Sequence, residues 1–392
     1  MKSVKILLLA FTIFSFSSCE KEAFEQAISK AVYSQPFKTD HSKAAAIQAI
    51  IDEYTRKGLP GIVVAIKDAE GVWEGTSGYA QIESNTKLTP GFVHAGASLT
   101  KMYAATAVMQ LYEQHLIDLD KSITQYLPAT ITSKITQSEA ITVRMLLNHT
   151  SGIPDYLENN DNFKLKWFNN LAKGWTTEEA LAEAYHKPFL FVPGTQFSYA
   201  NINYVLLSLL IEHVTGQREG DYLKEHILNK LNLQHTFYKV QPDYLSKLAM
   251  PNYYLDRYGD GRLQNATSIA KAEIRSELGD GGLVATGIDF VTFMDALANG
   301  RIVSQQSLAA MKTFNQGEYG LGLQNGFNYK NKFQYGHIGS VLGGAAMMLY
   351  FEEQKTALYV GSNVDVSFEV GKSLFLYHEM KNKVSEYIAS ME

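Results

Sequence analysis

Strand-forming runs lie at both ends of this 392-residue chain, and the stretch between them is patterned as helix. Gly61-Ile-Val-Val-Ala-Ile66 is a β-branched run, Glu70-Gly71 is a turn signal, and Val72 to Tyr79 reads as the partner strand of a hairpin. The strand pattern returns from about Tyr319. Tyr335 to Ser340 is one strand, Ala345 to Phe351 and Thr356 to Gly361 form a hairpin around Glu352-Glu-Gln-Lys355, and residues 368–388 read as a closing helix. One sheet needs its strands side by side, so the chain ends must meet and the middle, about 119–299, must be set out as an inserted helical region. The pattern predicts an α+β fold of the α/β sandwich type: an antiparallel sheet built from both ends, flanked by helices.

Helical spacing marks the elements between. Lys43 to Lys57 places Ala46, Ile47, Ile50, Ile51 and Tyr54 on one face and stops at Gly58. Asn203 to Val214 is an apolar helix stopped at Gly216, and Ile288 to Ala298 stops at Gly300. Tyr258-Gly-Asp-Gly261 lacks the spaced carboxylates of a calcium loop and reads as a hairpin turn.

The first residues are of another kind. Lys2 and Lys5 precede the apolar run Ile6 to Phe14, and small residues Ser15, Ser17 and Ser18 lead to Cys19. Residues 1–18 read as a secretory signal peptide, too short to span a membrane as a helix. Cys19 is the only cysteine, which excludes an intramolecular disulfide. Its position after Phe16-Ser-Ser18 resembles the lipobox of bacterial lipoproteins, with Phe16 in place of the usual Leu. That resemblance implies a lipidated Cys19, a tether over 19–42, a domain over 43–392 and a place in the bacterial cell envelope, on the periplasmic side. A formal charge of −5 with no basic cluster argues against nucleic acid as a partner.

The chemistry centres on Ser98 and Lys101. Residues three apart on a helix share nearly one face, so the lysine can take the serine proton. S-x-x-K starts four times, at Ser18, Ser84, Ser98 and Ser268, but only Ser98 has small residues before it and a long apolar helical run after it. A serine–lysine site also needs a second proton carrier, an amide to orient the substrate and an oxyanion hole. Tyr199 and Asn201 stand two apart just before a helix and supply the first two; a phenol beside an ammonium is expected to have its pKa pulled down. Tyr329-Lys-Asn331 repeats the spacing in a polar turn. In Tyr335-Gly-His-Ile-Gly-Ser340, His337 and Gly339 alternate onto one face of a strand. Gly339 lets a substrate lie against the strand edge, and the N–H groups of Ser340 and Ser98 are the oxyanion donors expected.

Ser98-x-x-Lys101, Tyr199-x-Asn201 and His337-x-Gly339, in that order, resemble the three motifs of the serine β-lactamase and penicillin-recognising D,D-peptidase family. The Tyr-x-Asn element is similar to that of class C β-lactamases and related D-alanyl-D-alanine carboxypeptidases. Gly58-Leu-Pro-Gly61, Leu146-Leu-Asn-His-Thr-Ser-Gly152 and Gly281-Gly-Leu283 agree, over about residues 44–385. The resemblance implies an acyl-enzyme formed on Ser98, with proton transfer by Lys101 and Tyr199, orientation by Asn201, and neither metal nor organic cofactor. His149 reads as structural. The third motif has His337 where class C enzymes carry lysine, and Ile338 removes a hydroxyl that helps hold a substrate carboxylate; His337 is then the expected cation for one. A D-alanyl-D-alanine carboxypeptidase or D-amino-acid peptide hydrolase, probing a small-molecule or peptide substrate as a monomer, leads the expectations. An esterase, a weak class C-like β-lactamase and a non-hydrolysing penicillin- or peptidoglycan-binding receptor are the alternatives.

Overall fold

The structure is a computed structural model that describes residues 40–391 apart from 159, 240–244, 246–247, 315–318, 326 and 365–370. The signal segment 1–18, Cys19 and most of the 19–42 tether lie outside the described residues.

Helix α1 (Ala44–Lys57) ends as its spacing predicts, at Gly58 with φ 127°. Strands β1 (Gly61–Asp68), β2 (Gly71–Gln81) and β3 (Thr86–Lys87) follow. Next come α2 (Thr100–Glu113), α3 (Asn201–Thr215), α4 (Thr267–Ser276) and α5 (Gly287–Ala298), with shorter turns of helix between. Strands β4 (Gln334–Val341), β5 (Gly344–Phe351) and β6 (Thr356–Ser362) and helix α6 (Lys372–Ala389) close the chain. The main sheet has the order β3-β2-β1-β6-β5-β4. The two ends of the chain meet at the β1–β6 ladder, where Ile62 lies opposite Ser362.

Both faces of the sheet are covered, so its central strands are apolar on both sides rather than alternating. Val63, Ala65, Ala346, Met348 and Tyr359 belong to a core shared with α2, α3 and α5. Ile62, Val64, Ile66, Met347 and Leu358 belong to a second core under α1 and α6. Each fully buried aliphatic side chain here is worth about 1.5–3 kcal/mol. The first core runs without a break from the sheet into the helical middle, which fixes the two regions against each other and makes a stable cleft between them. Tyr258 to Gly261 is the hairpin turn expected, joining the paired strands Tyr254–Leu255 and Gln264–Asn265. Among the described residues no helix is long and apolar enough to cross a membrane.

Candidate active site

Helix α2 is buried on all sides from Thr100 to Leu111, as a helix apolar all round must be. A 3₁₀ turn, Ala97–Leu99, leads into it and carries Ser98. Ala97 is left-handed at φ 47°, a conformation that costs a non-glycine residue about 1–2 kcal/mol and here turns Ser98 toward the cleft. The turn is held from the far segment 280–285. His94–Ala95 pairs with Val284–Ala285, and Gly96 N–H donates to the Leu283 carbonyl at 2.8 Å. That pairing is why residues distant in sequence reach Lys101.

The Lys101 side chain is fully buried. Its Nζ lies 3.0 Å from Ser98 Oγ, 2.9 Å from Asn201 Oδ1 and 2.7 Å from the Asp280 carbonyl oxygen. Two of these three partners can only accept. A neutral amine keeps its two hydrogens on them and turns its lone pair to Ser98. Burial pushes the Lys101 pKa below the usual lysine range, against the pull of Asp280, Glu277 and Asp155. The base form is therefore the favoured direction of the shift. Asn201 is oriented from behind: its Nδ2 donates to Asp155 Oδ2 at 3.2 Å, while Asp155 Oδ1 accepts Ile202 N–H at 2.7 Å at the start of α3. The Asp280 carboxylate accepts from Leu278 N–H at 2.9 Å and Tyr156 O–H at 2.5 Å, fixing the loop whose carbonyl holds Lys101.

Tyr199 lines the cleft with Ser98, and its ring centroid lies 5.0 Å from Lys101 Nζ. The expected lowering of its pKa is overturned. Burial, aided by Glu158, Asp280 and Asp155, pushes the phenol well above its ordinary value and outweighs the opposing influence of the Ser98 hydroxyl. Tyr199 is thus held as a neutral phenol, while the shift of Lys101 favours its base form. His149 supports this loop: its Nδ1 accepts Ala200 N–H at 3.1 Å and its ring packs 4.4 Å from that of Tyr199.

On the opposite wall, β4 brings Gly339 against Ser98. A Cβ at Gly339 would sit 2.8 Å from Ser98 N, so only glycine fits. Ser340 is exposed and lines the cleft beside Ser98. His337 is not the exposed cation expected. Its ring is fully buried beneath Tyr319, whose hydroxyl lies 2.8 Å from Nε2, while Nδ1–H donates to the Ile338 carbonyl at 2.5 Å. Burial, with Lys101 nearby, pushes its pKa down to about 3. A neutral ring under a tyrosine positions that tyrosine, and in this state it offers no cation to a carboxylate.

The cleft holds about 620 Å³, lined by Ser98, Tyr199, Tyr319, Ile338 and Ser340 and by residues the sequence did not single out, among them Glu158, Gln324 and Lys381. Tyr329-Lys-Asn331 packs elsewhere, with Tyr329 O–H donating to Asn382 of α6 at 3.1 Å. Ser268 does open a helix, α4, but is exposed on it.

A family model described as Beta-lactamase matches residues 47–377. Protein flp of Staphylococcus aureus strain MW2 is 32% identical over 203 residues, which are 51% of this chain and 39% of that protein. The chain thus matches well under half the length of these curated relatives. Penicillin-binding protein 4* of Bacillus subtilis strain 168 is 26% identical over 77% of this chain and 68% of its own length. Among solved structures, the D-amino acid amidase from Ochrobactrum anthropi SV3 complexed with L-phenylalanine amide superposes with a TM-score of 0.75 at 26% identity, covering 88% of this chain and 98% of that one. A D-stereospecific amidohydrolase from Streptomyces sp. superposes at 0.69, also at 26% identity, over 86% and 98% of the two chains. With one family model running from α1 into α6 and through all three motifs, the chain belongs to the Beta-lactamase family, whose serine hydrolases work through an acyl-enzyme.

Proposed function

We propose that the protein hydrolyses the amide bond after a D-amino acid, releasing ammonia or a short amine. The observation that carries the reading is the buried Lys101 amine, 3.0 Å from Ser98 Oγ with both other partners acceptors, at the floor of an open cleft. The similarity to two amide hydrolases selective for D-amino acids supports the amide and its hand. Ser98 Oγ attacks the carbonyl carbon as its proton passes to Lys101 Nζ. The N–H groups of Ser98 and Ser340 receive the developing oxyanion. The C–N bond breaks as Tyr199 O–H protonates the departing nitrogen, and Lys101 returns a proton to the phenol. Water then attacks the acyl-enzyme, giving its proton to Lys101. The Oγ–C bond breaks, and Ser98 regains its proton as the free acid leaves. Glu158, the acidic side chain among the described cleft residues, suits the α-ammonium of such a substrate.

A carboxypeptidase is the second reading, favoured by Lys381 on α6. This lysine also lines the cleft and can take over the carboxylate-reading task that the burial of His337 removes. The test is mass spectrometry after incubation with a D-aminoacyl amide, D-Ala-D-Ala, its C-terminal amide, a nitrophenyl ester and a penicillin, in the parent and Ser98→Ala. The expected result is release of the D-amino acid from both amides, a transient adduct on the parent and none on Ser98→Ala. Preference for D-Ala-D-Ala over its amide, lost in Lys381→Ala, supports the second reading. An adduct with ester or penicillin alone refutes both. We further propose that Cys19 is lipidated and tethers the enzyme at the cell envelope. Cys19→Ala should move it from the membrane to the soluble fraction, and an unchanged membrane fraction refutes the anchor.

A further inference from the structure

Among the described residues strand β4 has one strand neighbour in the sheet, β5, and past a bridge to Gln324 at Gly336 its other edge opens to the cleft. In an antiparallel ladder, successive residues turn their N–H and C=O to alternate sides. Gly336 turns its pair outward: its carbonyl accepts Gln324 N–H at 2.7 Å, and its N–H donates to the Gln324 carbonyl at 3.2 Å. Ile338 and Ser340 therefore also face outward. The neighbours of Ser340 are already engaged. Ile338 N–H donates to Gln324 Oε1 at 3.0 Å, and Leu342 N–H donates to Glu273 Oε2 at 2.8 Å. Ser340 remains, exposed beside Ser98.

We infer that this edge accepts one substrate residue at a time, and that the Gln324 side chain sets the limit on the leaving-group side. The inference rests on the proposed attack of Ser98 on an amide. Only in antiparallel pairing does one substrate residue exchange both of its bonds with one strand residue, here Ser340. The carbonyl that accepts from Ser340 N–H is the one Ser98 attacks. The next outward pairing comes two residues on. On the leaving-group side it falls opposite Ile338, where the Gln324 amide already sits. On the acyl side the strand ends at Val341, and the Leu342 N–H in the turn beyond is held by buried Glu273 of α4. An ammonia or single-residue leaving group meets no obstacle. A longer one must displace Gln324 from Ile338 or leave the edge. The substrate class that fits is the D-aminoacyl amide or dipeptide rather than a long peptide strand.

The test is a length series: D-alanine carrying ammonia, glycinamide or triglycine amide as leaving group, with release of D-alanine followed by mass spectrometry. The parent should show a fall in kcat/KM of about tenfold or more between glycinamide and triglycine amide, carried by KM. Gln324→Ala removes one hydrogen bond and the obstruction, and should raise the long-to-short ratio roughly threefold to tenfold, the worth of one net hydrogen bond. Gln324→Glu keeps the acceptor and should keep the parent ratio. A parent indifferent to length, or the same ratio in the parent and Gln324→Ala, overturns the inference. Labelling of Ser98 by a fluorophosphonate separates this failure from failure of the functional reading. If Ser98 is labelled but no amide is cleaved, the functional reading fails. The same ratio is then read on D-alanyl esters of methanol and of glycolyl-triglycine amide, where it supports or overturns the edge limit alone.

Discussion

Asn201→Ala should move the pH at which the enzyme switches on, and geometry sets the direction. Asn201 Oδ1 is one of three partners of Lys101 Nζ, at 2.9 Å. The ammonium form spends a hydrogen on each partner. The neutral form still uses two, on Asn201 and the Asp280 carbonyl, and offers its lone pair to Ser98. Removing Oδ1 costs the ammonium a charged hydrogen bond, about 1.5–3 kcal/mol, and costs the amine a neutral one, about 0.5–1.5 kcal/mol. The difference of about 1–1.5 kcal/mol corresponds to roughly one pKa unit. Lys101 already lies below the usual lysine range because it is buried, and it should fall further. Asp155, Glu277 and Asp280 stay in place, so their opposing pull is common to both proteins. The base form then persists to lower pH, and the acid limb of kcat/KM for a D-aminoacyl amide shifts down by about one unit. The plateau should also drop, since substrate orientation is lost. The rate of Ser98 phosphonylation against pH gives an independent reading of the same limb. A limb that stays in place, or moves up, would mean that Lys101 is not the group whose deprotonation opens the reaction.

Other outcomes follow from the same geometry. Tyr199→Phe should cost roughly 10²–10⁴-fold in rate, and a double variant with Lys101→Ala should be little worse than the poorer single one, because the two act as a unit; strictly multiplicative losses would argue for separate roles. His337→Gln should lower the melting temperature through loss of the Tyr319 contact while leaving the ratio of carboxylate-bearing to neutral substrates unchanged, and a selective loss of the former would restore a carboxylate role to His337. Stability should peak in mildly acidic buffer. His94 and His337, held down to about 3 by burial, contribute stability that is present above their unfolded value near 6.5 and is lost as pH falls toward 3. Glu74 and Glu219, held up to about 7 by burial, contribute stability that is present below their unfolded value near 4.3 and is lost as pH rises to 7. Circular dichroism melts from pH 3.5 to 8.5 should therefore fall off at both ends, and a steady rise to pH 8.5 would contradict the balance.

What was legible in the sequence was what local pattern encodes. The β-branched runs near both ends, the apolar stretch after Ser98 and the stops at Gly58 and Gly216 gave the sheet, the nucleophile's helix and α3. Ser98, Lys101, Tyr199 and Asn201 come together because each sits at the mouth of such an element. The partners behind them were not legible. Asp280 reaches Lys101 only through the short pairing of His94–Ala95 with Val284–Ala285, which has no periodic signature. Strand alternation placed His337 on one face with Gly339, but gave neither its burial nor the Tyr319 ring that covers it. The sign of the Tyr199 shift turned on whether burial or a neighbouring charge wins, and burial is a property of the assembled fold.

The β1–β6 ladder has a consequence for the life of the chain before it is an enzyme. Ile62 finds its partner only when Ser362, far later in the sequence, has left the ribosome, so the central pairing of the sheet waits for the whole stretch between them. Contacts of such long sequence separation fold slowly. Until they form, β4, β5 and β6 can pair only with one another, and Ser340 is not held beside Ser98. Ser98 and the strand edge that faces it therefore come together only after β4 to β6 have been made.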